Sequence, residues 1–334
     1  MNQGWTYYDR IQPHTAGQTI LAYYTQRYTH SSQADWQTRI DQQQILLNGK
    51  PTQPQTILKN GHQLSYYRLP WEEPTAPLAF SVLYEDKHLW VINKPSGLPV
   101  LPGGGFLENT LLHQLRSRYP TETPIPVHRL GRGTSGAILI AKTQTARAHL
   151  AKQFRTRSAT HNSAYNAPQH TTHGATRPPS VKTPKNSQTL TKIYRALVGP
   201  TTSAKISDRF TCTYPIGKLP HHKIGHIYGH SPTGLPAHSE CTVLQRSATS
   251  TLLDVSISTG RPHQIRIHLA AAGFPLLKDP LYPIGGAPTP NCTARPGDVG
   301  YYLHAHQLRF IHPQTGHPIS ITAPPPAILQ LSPH

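Results

Sequence analysis

Four short apolar runs constrain the fold more than anything else in this 334-residue chain: HLWVIN (88–93), AILIAK (137–142), KIYRALV (192–198) and TLLDVSIS (251–258). Each has the length and the β-branched content of a strand. The last alternates, with Leu253, Val255 and Ile257 on one face. Helical spacings occupy 110–119 and 145–157 between them. Strands and helices that alternate irregularly, joined by turn-rich connections, predict an α+β fold with a large mixed or largely antiparallel sheet and flanking helices.

Upstream, Trp36, Ile40 and Leu47 recur at helical spacings, and LLNGK and LKNGHQL each carry an Asn-Gly turn between apolar residues. That pattern predicts a helix followed by a short hairpin. The stretch PWEEPTAP (70–77) holds three prolines and ends the periodicity, as an interdomain linker does. The expected organisation is a small domain over 15–70 and a larger one over 78–330. Residues 158–188 are rich in Ser, Thr, Asn, His and Pro and contain no acid, so 158–190 is expected to be a disordered insert in the larger domain.

The charge balance narrows the partners. Lys and Arg number 32 against 14 Asp and Glu, a net charge of +18, yet charged residues are only 14% of the chain. An average domain has roughly 25%, so the excess comes from missing acids and not from lysine tracts. Such a chain is expected to meet a polyanion, above all nucleic acid, over a wide face. No run approaches the ~20 apolar residues that span a bilayer, and the first residues lack the marks of a signal peptide, so a soluble, cytoplasmic protein without a membrane partner is expected. Cys212, Cys241 and Cys292 fit no disulfide framework and no metal pair.

Two familiar patterns fail on context. Gly131-Arg132-Gly133-Thr134-Ser135-Gly136 spells a dinucleotide fingerprint, but a strand-like run follows where a helix is needed, and no acid lies between Glu122 and Asp208 to hold a ribose. His221, His222, His226 and His230 cluster without Cys or carboxylate at ligand spacing, which reads as a solvated loop, so no metal is expected.

Four segments taken together carry a stronger signal: Asn93-Lys94-Pro95-Ser96-Gly97-Leu98-Pro99-Val100, then Val127-His128-Arg129-Leu130-Gly131-Arg132-Gly133-Thr134-Ser135-Gly136, then Lys192-Ile193-Tyr194-Arg195-Ala196-Leu197-Val198, and finally Thr259-Gly260-Arg261-Pro262-His263-Gln264-Ile265-Arg266-Ile267-His268-Leu269 running on to Pro275-Leu276-Leu277-Lys278-Asp279-Pro280-Leu281-Tyr282. In this order they resemble the RluA-like family of RNA pseudouridine synthases. Residues 35–64 resemble, more loosely, the S-four-like RNA-binding module that often precedes that catalytic domain.

The resemblance implies isomerisation of uridine to pseudouridine in rRNA or tRNA, with no metal and no organic cofactor. It implies that Tyr194 lies against the target base and that Arg261 pairs with the catalytic carboxylate. It also suggests His128, Arg129, Lys192, His263, Gln264 and Arg266 as residues that hold the RNA.

One position departs from the pattern. The family's catalytic Asp follows His-Arg-Leu, and here that place is Gly131. Glycine can be neither nucleophile nor base. Losing such a group commonly costs ~10⁴ to 10⁶ in rate, roughly 5 to 8 kcal/mol. Asp254 and Asp279 are the acids in the motif regions from which a substitute could come. The expectation is a synthase with an atypical site; the alternative is a catalytically inactive RNA-binding protein on the same fold.

Overall fold

The computed structural model describes residues 1–165, 190–199, 206–221, 224–289 and 292–332, with side chains 156–165 excepted. The chain divides into two compact units, residues 1–74 with 220–227, and residues 75–219 with 228–334.

The smaller unit contains β1 (Trp5–Arg10), α1 (Ile20–Arg27), α2 (Gln33–Asp41), β2 (Ile45–Leu47), β3 (Lys50–Pro51) and β4 (Gln63–Arg68), with the strands in the order β1-β4-β2-β3. Thr19 and Ser32 cap the two helices by accepting the backbone N–H of Ala22 and Asp35. Asn48 and Gly49 turn β2 into β3 with both φ angles positive, the mirror-image turn that suits strand twist. Trp36 and Ile40 pack with Ile20, Tyr24, Ile45 and Leu64 in one core. The unit starts earlier than the expected residue 15, because β1 pairs along β4 from Trp5↔Arg68 to Arg10↔Gln63.

The larger unit is built on β5 (Ser81–Glu85), β6 (Leu89–Lys94), α3 (Leu111–Arg118), β7 (Ile125–Pro126), β8 (Ser135–Ala141), α4 (Gln144–Tyr165), β9 (Thr191–Val198) and β10 (Arg209–Cys212). A separate hairpin, β11 (Ile216–His221) and β12 (Gly225–His230), follows. Then come β13 (Ser239–Arg246), β14 (Thr251–Ile257), α5 (Gln264–Ala271), β15 (Leu303–Ile311) and β16 (Pro318–Thr322). Among the described residues, ten strands form one sheet in the order β10-β13-β14-β9-β15-β8-β6-β5, with β16 on β15 and β7 on β8. All pairings are antiparallel except β15 with β8, so the sheet is mixed.

β8 is buried on both faces: Ile138 and Ile140 join one core, and Ala137, Leu139 and Ala141 join the other. That explains an apolar run without alternation. Gly136 has φ +104°, and a Cβ there would lie 2.3 Å from the Ala305 carbonyl oxygen, so only glycine lets β8 meet β15 this closely.

α4 continues to Tyr165, so the insert expected to be disordered begins as helix over 158–165. Ala146, Leu150 and Phe154 anchor that helix on the second core. The rest of the insert, 166–189, lies outside the described residues, as does His222 of the histidine cluster. Among the described residues no group of His, Cys, Asp or Glu is arranged to hold a metal, and no helix is long and apolar enough to cross a membrane.

Candidate active site

The four motif segments are far apart in sequence and share one core. Leu98 and Val100 of the first, Leu130 of the second, Tyr194 and Ala196 of the third, and Ile265 and Leu269 of the fourth are buried in the same cluster.

The turn of the second motif, between β7 and β8, is bolted down from the first. Arg132 O accepts Gly97 N–H at 2.7 Å, and Ser96 Oγ donates to Gly133 O at 2.7 Å. Lys94 is 0% exposed, and its Nζ donates to the carbonyls of Pro95 and Leu98 at 2.8 Å and of Arg132 at 3.2 Å. Burial pushes the Lys94 amine down to about 7. Inside the turn, Thr134 N–H donates to Gly131 O at 3.0 Å.

His128 at the head of the turn is committed to packing. Its Nε2 accepts Leu139 N–H at 3.1 Å, and its ring stacks on Phe154 with centroids 4.8 Å apart. Burial, with the Lys192 charge nearby, holds its pKa down to about 3, so the ring is neutral. Arg129 beside it is exposed.

Lys192 links two motifs. Its Nζ lies 5.5 Å from the centre of the Phe154 ring that carries His128, and 3.6 Å from where a Cβ on Gly260 would stand. Two residues along β9, Tyr194 is buried, and burial pushes its hydroxyl up to about 12.

The Thr-Gly-Arg turn is organised by Gln264 from the first position of α5. Gln264 Oε1 accepts Thr259 Oγ1 at 2.7 Å and Arg261 N–H at 3.0 Å, while Nε2 donates to His238 O at 2.8 Å and Ser239 Oγ at 3.1 Å. All four hydrogen-bonding positions of the amide are taken, and the side chain is buried, so Gln264 shapes the turn and is not the RNA contact expected of it. Arg261 Nε donates to Pro236 O at 3.0 Å.

His263 enters α5 in the left-handed region, φ +55°, and its Nδ1 is 2.6 Å from the Tyr282 hydroxyl. That hydroxyl spends its one proton on Tyr228 O at 2.8 Å, so His263 Nδ1 is the donor in the pair. Burial, helped by the Arg266 charge, lowers the His263 pKa to about 4.

Arg266 is also not on the surface. Its side chain is 3% exposed and makes a two-pronged ion pair with Asp279, itself 1% exposed, through Nε and Nη2 at 2.7 Å each. This corrects the expectation of an RNA-holding Arg266: α5 is buried on every side, so its polar residues serve the interior.

The same contacts dispose of both acids considered as substitutes for the missing carboxylate. Asp279 is occupied by Arg266 and by the N–H groups of Leu281 and Tyr282 at 2.9 and 3.2 Å. Asp254 pairs across the β14–β9 ladder with Arg195, Oδ1 to Nε 2.8 Å, while its neighbour Val255 pairs with Tyr194. Alternation then puts Asp254 on the sheet face away from Tyr194 and the turn.

Two residues that sequence reasoning missed, Tyr301 and Asp298, reach the turn that holds Gly131. Tyr301, buried before β15, lies against the turn, with its hydroxyl 3.3 Å from Thr134 Oγ1. Arg132 Nε donates to Gly297 O at 2.6 Å, and its guanidinium lies 3.9 Å from Asp298. No local motif marks either residue, since both come from a loop more than 160 positions downstream of the turn.

Comparison with known proteins places the chain by family and fold. The profile of the family described as RNA pseudouridylate synthase matches residues 88–271. The chain is 45% identical over 312 residues to an uncharacterized RNA pseudouridine synthase of Synechocystis, covering 93% of this chain and 95% of that one. It is 40% identical to RNA pseudouridine synthase 5 of Oryza sativa over 98% of this chain and 89% of that one. It is 31% identical to ribosomal large subunit pseudouridine synthase D of Neisseria meningitidis, over 92% and 75%. The human RNA pseudouridylate synthase domain containing 1 structure has a similar fold, with TM-score 0.51 and 22% identity over 76% of this chain and 86% of that one.

Proposed function

The chain belongs to the RNA pseudouridylate synthase family, isomerases that act on RNA, and we propose that its substrate is a uridine of ribosomal or transfer RNA in the cytoplasm. In this reaction the bond from uracil N1 to ribose C1′ breaks and a bond from C5 to C1′ forms. The proton on C5 leaves and N1 gains one, so no oxidant and no external group is required. The base must first leave its stack, at a cost of a few kcal/mol, and be held in a pocket.

The observation that carries this reading is that buried residues of all four motif segments share one core, Leu130 next to Gly131 and Tyr194 among them, with Lys192 Nζ beside the Gly260 of the Arg261 turn. In it, Tyr194 lies against the flipped uracil. Its hydroxyl stays protonated at neutral pH and serves as a donor. Lys192 and Arg261 supply positive charge to the backbone phosphates beside the target, and Arg129 extends that face outward. His263 supports the turn that carries Arg261. The unit at residues 1–74 acts as an RNA-binding module of the S-four-like kind, and the net charge of +18 favours the polyanion as a whole.

The test is to incubate purified protein with separate ribosomal and transfer RNA transcripts, digest the RNA and quantify pseudouridine. Product in one class identifies the substrate. Tight binding with no product in either class identifies the inactive RNA-binding alternative and overturns the proposal.

A further inference from the structure

The space beside Gly131 is filled. A Cβ at position 131 would stand 3.0 Å from the Tyr301 hydroxyl oxygen, and one at position 133 would stand 2.9 Å from both Cε1 and Cζ of the same ring. At 2.9 Å a side chain at 133 would have to displace the Tyr301 ring, and at 3.0 Å one at 131 would press on its hydroxyl, which would have to give by a few tenths of an ångström.

The ring cannot simply swing away. It is 4% exposed, its hydroxyl is 3.3 Å from Thr134 Oγ1, and its face is covered by the Arg266 guanidinium at 4.1 Å from the ring centre. That guanidinium is in turn fixed by its two bonds to Asp279.

A carboxylate on residue 131 would begin one carbon beyond its Cβ, and in the rotamer turned towards Tyr301 it would meet the phenol oxygen. An aspartate turned this way and this tyrosine would therefore compete for one place. A phenol offers one proton and two acceptor positions. Thr134 uses one of these, so the phenol keeps a free acceptor position, and its proton as well when Thr134 is the donor of the pair.

We propose that the Tyr301 hydroxyl is the group presented to the target nucleotide where the family has its carboxylate. It hydrogen-bonds the flipped uridine and fixes the ribose and base for the exchange of bonds at C1′. The inference rests on the reading that the chain is an active synthase, and it adds no covalent step to the reaction.

Tyr301→Phe removes the oxygen alone and keeps the ring between Gly133 and Arg266, so its melting temperature should match the wild type within a few degrees. Its kcat on a modified RNA should fall by about 10² or more, as when one preorganised donor is removed from a reacting centre, with KM changed less than about threefold. A kcat unchanged in Tyr301→Phe overturns the inference. So does loss of turnover in Asp298→Asn with Tyr301→Phe still active, which would assign the role to the acid beside Arg132.

Steric exclusion supplies the second arm. Gly131→Asp on the wild-type background should lower turnover. In Gly131→Asp/Tyr301→Ala, turnover should rise at least tenfold above Tyr301→Ala alone. A Gly131→Asp variant as active as the wild type, or no rescue in the double variant, contradicts the shared place. A wild type that makes no pseudouridine in any RNA overturns the proposed function and this inference together, whereas an active wild type with an equally active Tyr301→Phe overturns the inference alone.

Discussion

Replacing Asp279 by alanine should destabilise the larger unit more than any surface change. The carboxylate accepts four hydrogen bonds, two from Arg266 at 2.7 Å and one each from the N–H groups of Leu281 and Tyr282. Its loss leaves a guanidinium with 3% side-chain exposure facing the Pro296 carbonyl and two aromatic rings. Breaking one side of a buried pair costs about 3 to 5 kcal/mol, because the remaining charge is neither solvated nor paired. At about 2 to 4 °C per kcal/mol for a unit of this size, the melting temperature should drop by roughly 6 to 20 °C. The assay is urea and thermal denaturation followed by circular dichroism at pH 7. Arg266→Met/Asp279→Ala removes the stranded charge, so it should be more stable than Asp279→Ala, and the double-mutant cycle should show coupling of about 1.5 kcal/mol or more. A cost below about 1 kcal/mol for Asp279→Ala, or additive single changes, would refute the buried-pair argument.

Three further outcomes follow from the same contacts. Burial depresses His268 and His304 to about 4, so the native state resists protonation while the unfolded chain takes it up. Stability should then fall by about 1.4 kcal/mol per pH unit for each histidine as pH drops from 6.5 towards 4, and urea midpoints that stay flat between pH 7 and 5 would contradict this. Lys94, at about 7 against an ordinary 10.5, should make the native state more stable as pH rises from 7 to 10.5, by at most about 5 kcal/mol, because its three carbonyl partners oppose the shift. Lys94→Met should lose that slope, and equal pH dependence in wild type and variant would show that burial does not depress the amine. Tyr194→Phe should leave RNA affinity nearly unchanged and lower turnover at least tenfold, as judged by filter binding and pseudouridine yield; unchanged turnover removes the hydroxyl from the chemistry.

Much of the fold was legible because strong local signals agree with their surroundings. The four apolar runs became β6, β8, β9 and β14, and Thr110 caps α3 by accepting His113 N–H at 3.3 Å. The motif segments placed the site turn and the Thr-Gly-Arg turn. What stayed hidden depends on distant partners. Arg266 has the appearance of a surface charge on an amphipathic helix until Asp279, thirteen residues on, is seen to fold back against it. Gln264 looks like an RNA-facing amide until His238 and Ser239 arrive from another strand. Tyr301 carries no local mark, and only its contact with Thr134, 167 residues upstream, shows that its ring crowds residues 131 and 133. β1 was missed because Trp5 to Arg10 alternate weakly and gain their order from β4.

Whether a chain with glycine at 131 carries out the isomerisation is reported directly by the C5 hydrogen of uridine, since that hydrogen must leave when C5 bonds to C1′. RNA transcribed with uridine tritiated at C5 and incubated with purified protein should release tritium to water in step with pseudouridine formed. RNA that binds the protein and keeps all of its tritium would contradict the proposed activity.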